Sequence, residues 1–434
     1  MTIVGFAGMT HLGLVSASAV ASRGFETVCF DPDPALISLL QSGDLPVVEP
    51  DLDDLVQANG ARQRFTSDAS DLARCDVVYV SPDVPTDDHG LSSLGPVTAL
   101  IDVVAEYLKT DATLVVLSQV PPGFTRRQRS IPHDRLIYQV ETLVFGQAVE
   151  RALRPDRIIV GVTDPAGNLP SAYAQLLAAF DCPILKMRYE SAELAKISIN
   201  CCLVASVSVA NTLAEVSEMI GADWSEIAPA LKLDRRIGAY AYLNPGLGIS
   251  GGNLERDLRT VVTIGERLNT DVGVVKAWLA NSAHRKDWMW RTLRDGVLAE
   301  KPRAVIAMLG LAYKENTHST KNSPALRLLA KLGDRKIRVH DPVVPALAAP
   351  RAQYCTSAIE CVRGADVLVL ATPWPEYRKL SVRELARTMR GRVLIDPHRL
   401  LDAVQVEAAG FTYHTLGRPP LEQGEGQEQV LRHG

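Results

Sequence analysis

Gly8-Met9-Thr10-His11-Leu12-Gly13 is followed, twenty-three residues after Gly8, by Asp31. That spacing suits dinucleotide binding. In a G-x-G-x-x-G turn the first glycine permits the bend and the third permits close helix–strand contact. The middle one lets a diphosphate approach the helix N-terminus; here it is Thr10, which narrows that approach. Asp31 is placed to accept hydrogen bonds from adenosine ribose hydroxyls and to repel a 2′-phosphate, favouring NAD over NADP. The plainer alternative is that it caps the Pro32-Asp33-Pro34 turn. A second group is Lys196 and Asn200, one helical turn apart and so on one face. A third is the glycine-rich run Pro245-Gly246-Leu247-Gly248-Ile249-Ser250-Gly251-Gly252-Asn253-Leu254-Glu255-Arg256-Asp257. Taken singly, a helix lysine is usually solvated and a glycine-rich loop is usually just a loop.

The elements that must hold these residues follow from the apolar pattern. Residues 2–8 form a short apolar run entering the glycine turn, with a small-residue helix over 12–23 and a strand over 26–30 ending at Asp31. Strands are expected at 77–80, 113–117, 136–139 and 157–160, with helical segments between several of them. The pattern is a doubly wound, mainly parallel sheet. From Ser191 to about Gly221 there is one long helical stretch without Gly or Pro, longer than one small domain needs and suited to a subunit interface. A second helical region is expected over 254–298. A new strand–turn unit opens at 304–310, continues through a helix at 324–332 and a strand at 337–340, and gains strands at 367–370 and 393–395. The resulting fold class is α/β, with two Rossmann-like domains joined by a long central helix and a helical dimerisation region. The expected boundaries are 1–188 for the NAD-binding domain, 189–299 for the central region, 300–420 for the C-terminal domain and 421–434 for a flexible tail.

Several of these segments, in order over nearly the whole chain, resemble the UDP-glucose/GDP-mannose dehydrogenase family of nucleotide-sugar 6-dehydrogenases. The glycine-rich loop is similar to the family's P-G-x-G-x-G-G-S-C-F-x-K-D, with Asn253 where the family has its nucleophilic cysteine. Val80–Thr86 stands where the family strand ends in V-x-T-P-T, Val84 replacing Thr. Ser118–Thr125 resembles S-T-V-P-x-G-T-T, Gln119 replacing the Thr that helps position water. Gln139–Ala148 resembles N-P-E-F-L-x-E-G-x-A, keeping Glu141 and placing Phe145 at the second acid. Ala192–Asn200 reproduces A-E-L-x-K-x-x-x-N, whose Lys and Asn face the sugar. Asp234–Gly238 matches D-x-R-I-G, in which the Arg, here Arg236, reaches a neighbouring subunit's site. Gly310–Thr317 matches G-x-x-x-K-x-x-T through Lys314, Asp341-Pro342 matches a strand end, Lys321 stands at a usual Arg, and Pro397-His398-Arg399 replaces G-R-x.

The resemblance implies catalytic roles for Lys196, Asn200, Asp257 and Asn253. It implies a cofactor site from Gly8, Thr10, His11, Leu12, Gly13, Asp31, Val84, Gln119 and Lys321. Substrate contacts are implied for Glu141, Thr142, Leu143, Phe145, Arg236, Gly248, Gly251 and Lys314. Oxidising a primary alcohol to a carboxylate takes two hydride transfers, with a thiolate adding to the intermediate aldehyde. An asparagine amide is not nucleophilic at neutral pH, so the second half of that reaction lacks its parts. A secondary alcohol oxidised to a ketone needs no thiol. The reading is therefore an NAD-dependent two-electron oxidation of a nucleotide sugar, with C6 of an NDP-octose, as in antibiotic sugar biosynthesis, as the implied substrate type. A catalytically inactive nucleotide-sugar-binding subunit and an NAD-dependent epimerase are the alternatives.

Bulk properties agree with an enzyme of two to three domains. The chain has 434 residues, 47% hydrophobic and 22% charged, and its formal net charge of −4 offers no basic field for nucleic acid. No apolar run is expected to reach bilayer length and no secretory signal opens the chain. The expected partners are thus a nucleotide sugar and a second copy of the chain in a homodimer, with no nucleic acid and no membrane. The seven cysteines show neither CxxC pairs nor metal spacing, which suits free thiols in a reducing cytoplasm and no metal.

Overall fold

The computed structural model describes residues 2–84 and 92–420. Pro85 and Thr86 of the strand-end motif, and the 421–434 segment expected to be a tail, lie outside the described residues.

The first of two compact units runs to Ile199. Its sheet contains β1 (Ile3–Ala7), β2 (Glu26–Phe30), β3 (Gln63–Thr66), β4 (Val77–Val80), β5 (Thr113–Val116), β6 (Leu136–Gln139), β7 (Ile158–Val162) and β8 (Ile184–Arg188), in the order β3-β2-β1-β4-β5-β6-β7-β8. Every pairing is parallel except β6 with β7. β4 and β5 are buried along their whole length, which explains their unbroken apolar runs: a parallel sheet is covered on both faces. The order places the ends of β1 and β4 side by side, where a doubly wound sheet opens its ligand crevice.

The helix Tyr189–Ile220 carries the division between the units, the second beginning at Asn200. By length and composition it could cross a membrane, so the expectation that no segment reaches that length is corrected. The reason is its Ala, Val, Leu and Ser content, and only 39% of its most apolar window is buried. Val209, Leu213, Val216 and Ile220 are exposed and follow the i, i+4, i+7, i+11 spacing of a single helical stripe.

In the second unit the helical region expected over 254–298 is broken into Asn253–Leu268, Gly273–Lys286 and Trp288–Thr292, followed by a π-helical turn at Leu293–Leu298. Asn269 ends the first helix in the left-handed conformation (φ 60°). The Asp271 carboxylate accepts the Gly273 N–H to start the next. Asp287 separates the second and third; Arg327 and Lys331 bind its carboxylate and hold its pKa down at about 2.

The second sheet contains β9 (Ile306–Leu309), β10 (Ile337–His340), β11 (Gln353–Tyr354), β12 (Val367–Leu370), β13 (Val393–Ile395) and β14 (Thr412–His414). Their order is β11-β10-β9-β12-β13-β14 and all pairs are parallel. Its core is continuous with Trp288, Met289 and Leu293 of the preceding helices. Both units thus show the Rossmann-like layering expected from the sequence.

Candidate active site

The cofactor turn follows from two steric facts. Gly8 has φ +98°, and a Cβ there would lie 2.8 Å from the Pro82 nitrogen. A Cβ on Gly13 would lie 1.9 Å from the Gly8 carbonyl oxygen. No other residue fits either position. Thr10, at the middle position, is the N-cap of the helix His11–Ser22 but gives that helix no side-chain cap. Its hydroxyl accepts the Asp83 N–H at 2.8 Å and lies 3.4 Å from the Ser81 carbonyl. Asp31, at the end of β2, accepts the Met9 N–H on Oδ2 at 2.8 Å and the Asp33 N–H on Oδ1 at 3.0 Å. The turn-capping alternative is therefore partly realised. A carboxylate has about four lone-pair sites, so Asp31 retains capacity for ribose hydroxyls. These residues fit a dinucleotide.

His11 and Leu12 are buried in the first turn of that helix. His11 Nε2 is 3.0 Å from Glu49 Oε2, and Glu49 also accepts the Gly146 and Ala148 N–H groups at 3.0 and 2.8 Å. The Phe145 ring lies on the His11 imidazole, with centroids 4.1 Å apart and planes 24° apart. The residue replacing the second acid is thus packed on the cofactor turn. Val84 packs against the apolar layer behind β4 and β5.

Glu141 and Lys196 form an ion pair of 2.7 Å with side chains 12% and 11% exposed. Glu141 Oε2 also accepts the Leu143 N–H at 3.0 Å, and the Thr142 carbonyl accepts from Arg151 Nε at 2.8 Å. Glu193, one turn before Lys196 and fully buried, accepts the Gly123 and Thr125 N–H groups. That anchors the turn following Gln119. Burial pushes the Glu193 carboxyl up, opposed by those donors.

In the second unit Asn200 donates through Nδ2 to Asp257 Oδ2, while Arg256 Nε lies 3.3 Å from Oδ1. All three side chains are buried. The glycine-rich loop is built on contacts a side chain would block. Gly248 has φ +80°, with Ser282 O 2.5 Å from where its Cβ would be, and Ser282 Oγ takes the Ile249 N–H at 2.8 Å. Gly251 has φ +75° and faces the Tyr313 ring at 3.2 Å. It donates to the Lys321 carbonyl at 3.0 Å, and its own carbonyl accepts from Asn322 Nδ2 at 2.7 Å. Lys314 lies over the Tyr313 ring at 5.7 Å.

The loop delivers Asn253, exposed, to the first position of the helix Asn253–Leu268. A thiolate there would be favoured by the helix N-terminus; an amide gains no nucleophilicity from it. Nor does Cys201 substitute: burial pushes its thiol up to about 11, with Asp257 adding to the effect. Arg236 is exposed and held bidentately by Asp234 at 2.6 and 3.0 Å. All seven cysteines are free. Among the described residues no group of three or more His, Cys, Asp or Glu is arranged to hold a metal.

Sequence reasoning missed Glu49, Glu193, Asn322 and Asp83. Glu193 had a usable signal, since a carboxylate between apolar neighbours one turn from Lys196 needs a buried partner. Glu49 offered only its place between Val48 and Pro50.

Residues 1–180 match the NAD-binding domain of the UDP-glucose/GDP-mannose dehydrogenase family, 190–282 its central domain and 307–403 its UDP-binding domain. The chain is 30% identical to a UDP-glucose 6-dehydrogenase of Pseudomonas aeruginosa, covering 95% of this chain and 96% of that one. It is 28% identical to UDP-glucose 6-dehydrogenase TuaD of Bacillus subtilis, covering 98% and 95%. A UDP-glucose dehydrogenase from Pyrobaculum islandicum superposes with a TM-score of 0.82 at 25% identity, covering 96% and 98% of the two chains.

Proposed function

This chain belongs to the UDP-glucose/GDP-mannose dehydrogenase family, and on that premise we propose that it performs a single two-electron oxidation of a secondary alcohol on a nucleotide sugar, giving a ketone. The observation that carries the reading is Asn253 at the helix N-terminus where the family pattern has cysteine. Bound NAD supplies the hydride acceptor. The chain's own residues do the rest. Asp31 orients the adenosine ribose and favours NAD over NADP. The Lys196–Glu141 pair takes the hydroxyl proton and holds the developing alkoxide as the carbinol hydrogen leaves with its electron pair. Asn200, fixed by Asp257, orients the sugar. With Val84, Gln119 and Phe145 replacing polar family residues, the site suits a sugar bulkier than a hexose, such as the C6 position of an NDP-octose of antibiotic biosynthesis.

The same reading makes the molecule a homodimer joined through the stripe Val209, Leu213, Val216 and Ile220, with Arg236 serving the partner's substrate. An interface of standard size removes roughly 1,600 Å² from water. Sedimentation as a monomer at micromolar concentration would contradict it.

The decisive measurement is NADH yield with mass analysis of the product: one NADH per sugar and a ketone are expected. Two NADH and a uronic acid overturn the reading. Tightly held NAD with no net NADH favours epimerisation, and binding without turnover of any nucleotide sugar favours a binding subunit. Lys196→Ala is expected to cost roughly 10²–10³ in kcat, with Asn253→Ala costing less.

A further inference from the structure

Two carboxylates at the start of the helix Tyr189–Ile220 hold the same short segment of the first unit. Glu190 binds Arg126 bidentately, with both side chains 42% exposed. Glu193 is fully buried and accepts the Gly123 N–H on one oxygen and the Thr125 N–H on the other. Lys196 lies one turn further along the same helix. The segment they hold follows β5, and its near end is fastened as well. Ser118 Oγ, fully buried, donates to the Pro82 carbonyl beyond β4 at 2.5 Å. Between the two fastenings run Gln119, Val120, Pro121 and Pro122. Val120 is buried and proline fixes φ, so this stretch is stiff. A shift at Gly123 is therefore carried to Gln119.

The strand order gives this segment a place in cofactor binding. With β3-β2-β1 on one side of the reversal and β4-β5-β6 on the other, a dinucleotide lies across the crevice with one mononucleotide on each half. The adenosine half belongs to the β2 side, where Asp31 stands, so the segment after β5 faces the nicotinamide half. We propose that Glu193 is a positioning residue for the nicotinamide, its carboxylate setting the Gln119 segment against the helix that carries Lys196. The inference rests on the NAD assignment of this domain. Without that carboxylate the Gly123 and Thr125 N–H groups lose their acceptor, and unpaired donors away from water are costly. The segment then moves toward water and takes Gln119 with it. Glu190 cannot replace Glu193, because solvent weakens an ion pair as exposed as that with Arg126.

Titration of the full chain with NADH and with ADP-ribose, which lacks the nicotinamide, tests this. Glu193→Gln keeps the size of the side chain but turns one acceptor into a donor. It is expected to bind NADH about tenfold more weakly, with ADP-ribose held within about twofold of the unmodified protein. The nicotinamide fluorescence of bound NADH should move toward that of free NADH. Glu193→Asp keeps the charge and withdraws it by one methylene. It should show the same pattern at smaller size, and it carries the test if Glu193→Gln does not fold. Glu190→Gln should leave both ligands unchanged. Equal weakening of both ligands in the Glu193 variants, or no change in either, overturns the inference and leaves the NAD assignment standing. The same NADH-selective loss in Glu190→Gln overturns it too, and unmodified protein that binds neither ligand overturns both.

Discussion

Two turns in this molecule are written in nearly the same way and spend their aspartates differently. In the first unit β1 leads into Gly8 and β2 into Asp31; in the second β9 leads into Gly310 and β10 into Asp341. Gly310 repeats the geometry of Gly8, with φ +99° and a Cβ position 2.4 Å from Thr372. Met9 N–H binds Asp31 as Leu311 N–H binds Asp341. The difference is saturation. Asp31 has one backbone donor on each oxygen. Asp341 Oδ2 accepts from Leu311 N, Ala312 N and Trp374 Nε1 at 2.6, 3.1 and 3.2 Å. Its Oδ1 accepts from Val343 N and Val344 N at 2.9 and 2.8 Å. One aspartate keeps capacity for a ligand; the other is consumed by its own fold. A strand–glycine–strand–Asp pattern therefore identifies the turn, and the donors around the carboxylate decide its use.

The comparison is most easily broken at Asp341. Asp341→Ala leaves five donors, four of them on buried residues, without their acceptor and is expected to cost ~3–5 kcal/mol of stability, read as a lowered urea midpoint. A loss under ~1 kcal/mol would remove the distinction. Gly310→Ala comes next, at ~2–3 kcal/mol, because it combines positive φ with a clash on Thr372. Gly8→Ala should destabilise similarly but also weaken NAD, which Gly310→Ala should leave unchanged; both are read by thermal unfolding alongside NAD titration. The smallest stability effect belongs to Asp31→Ala, about 1 kcal/mol. Its signature is instead a roughly tenfold weaker NAD affinity, equivalent to ~1.4 kcal/mol, with NADP less affected. Equal binding of both cofactors by the unmodified protein would count against the role given to Asp31.

Strands buried on both faces were legible in the sequence. Val77–Val80, Leu136–Gln139 and Val367–Leu370 are short, mainly apolar runs with distinct ends, and their bounds, like those of the alternating Ile337–His340, match the structure. Gln63–Thr66 was not legible: it is an edge strand with Arg64 exposed, so nothing forces an apolar run. Ile184–Arg188, the opposite edge, is largely exposed for the same reason. The breaks between 254 and 298 depend on Asn269, Asp271 and Asp287 acting as caps, weaker punctuation than Gly or Pro. At the candidate site, the sequence singles out residues whose identity is chemical, such as Lys196 and Asp31. Residues whose value comes from distant partners escaped it. Glu49 matters because it meets Gly146 and Ala148, a relation no local spacing reveals.

That same Glu49 has an engineering consequence. One carboxylate holds His11 at the start of its helix and the backbone beyond Phe145, while His11 and Phe145 cover each other. Positions 11 and 145 are therefore a single unit of inheritance in physical terms. Returning an acid to position 145 alone would strip the imidazole of its cover and set a second negative charge beside Glu49. Grafting a cysteine at 253 would leave that mismatch in place. Exchanging either position alone has to cross a state in which the helix start and the loop carrying Phe145 no longer fit each other, so the pair is held in place by its own packing.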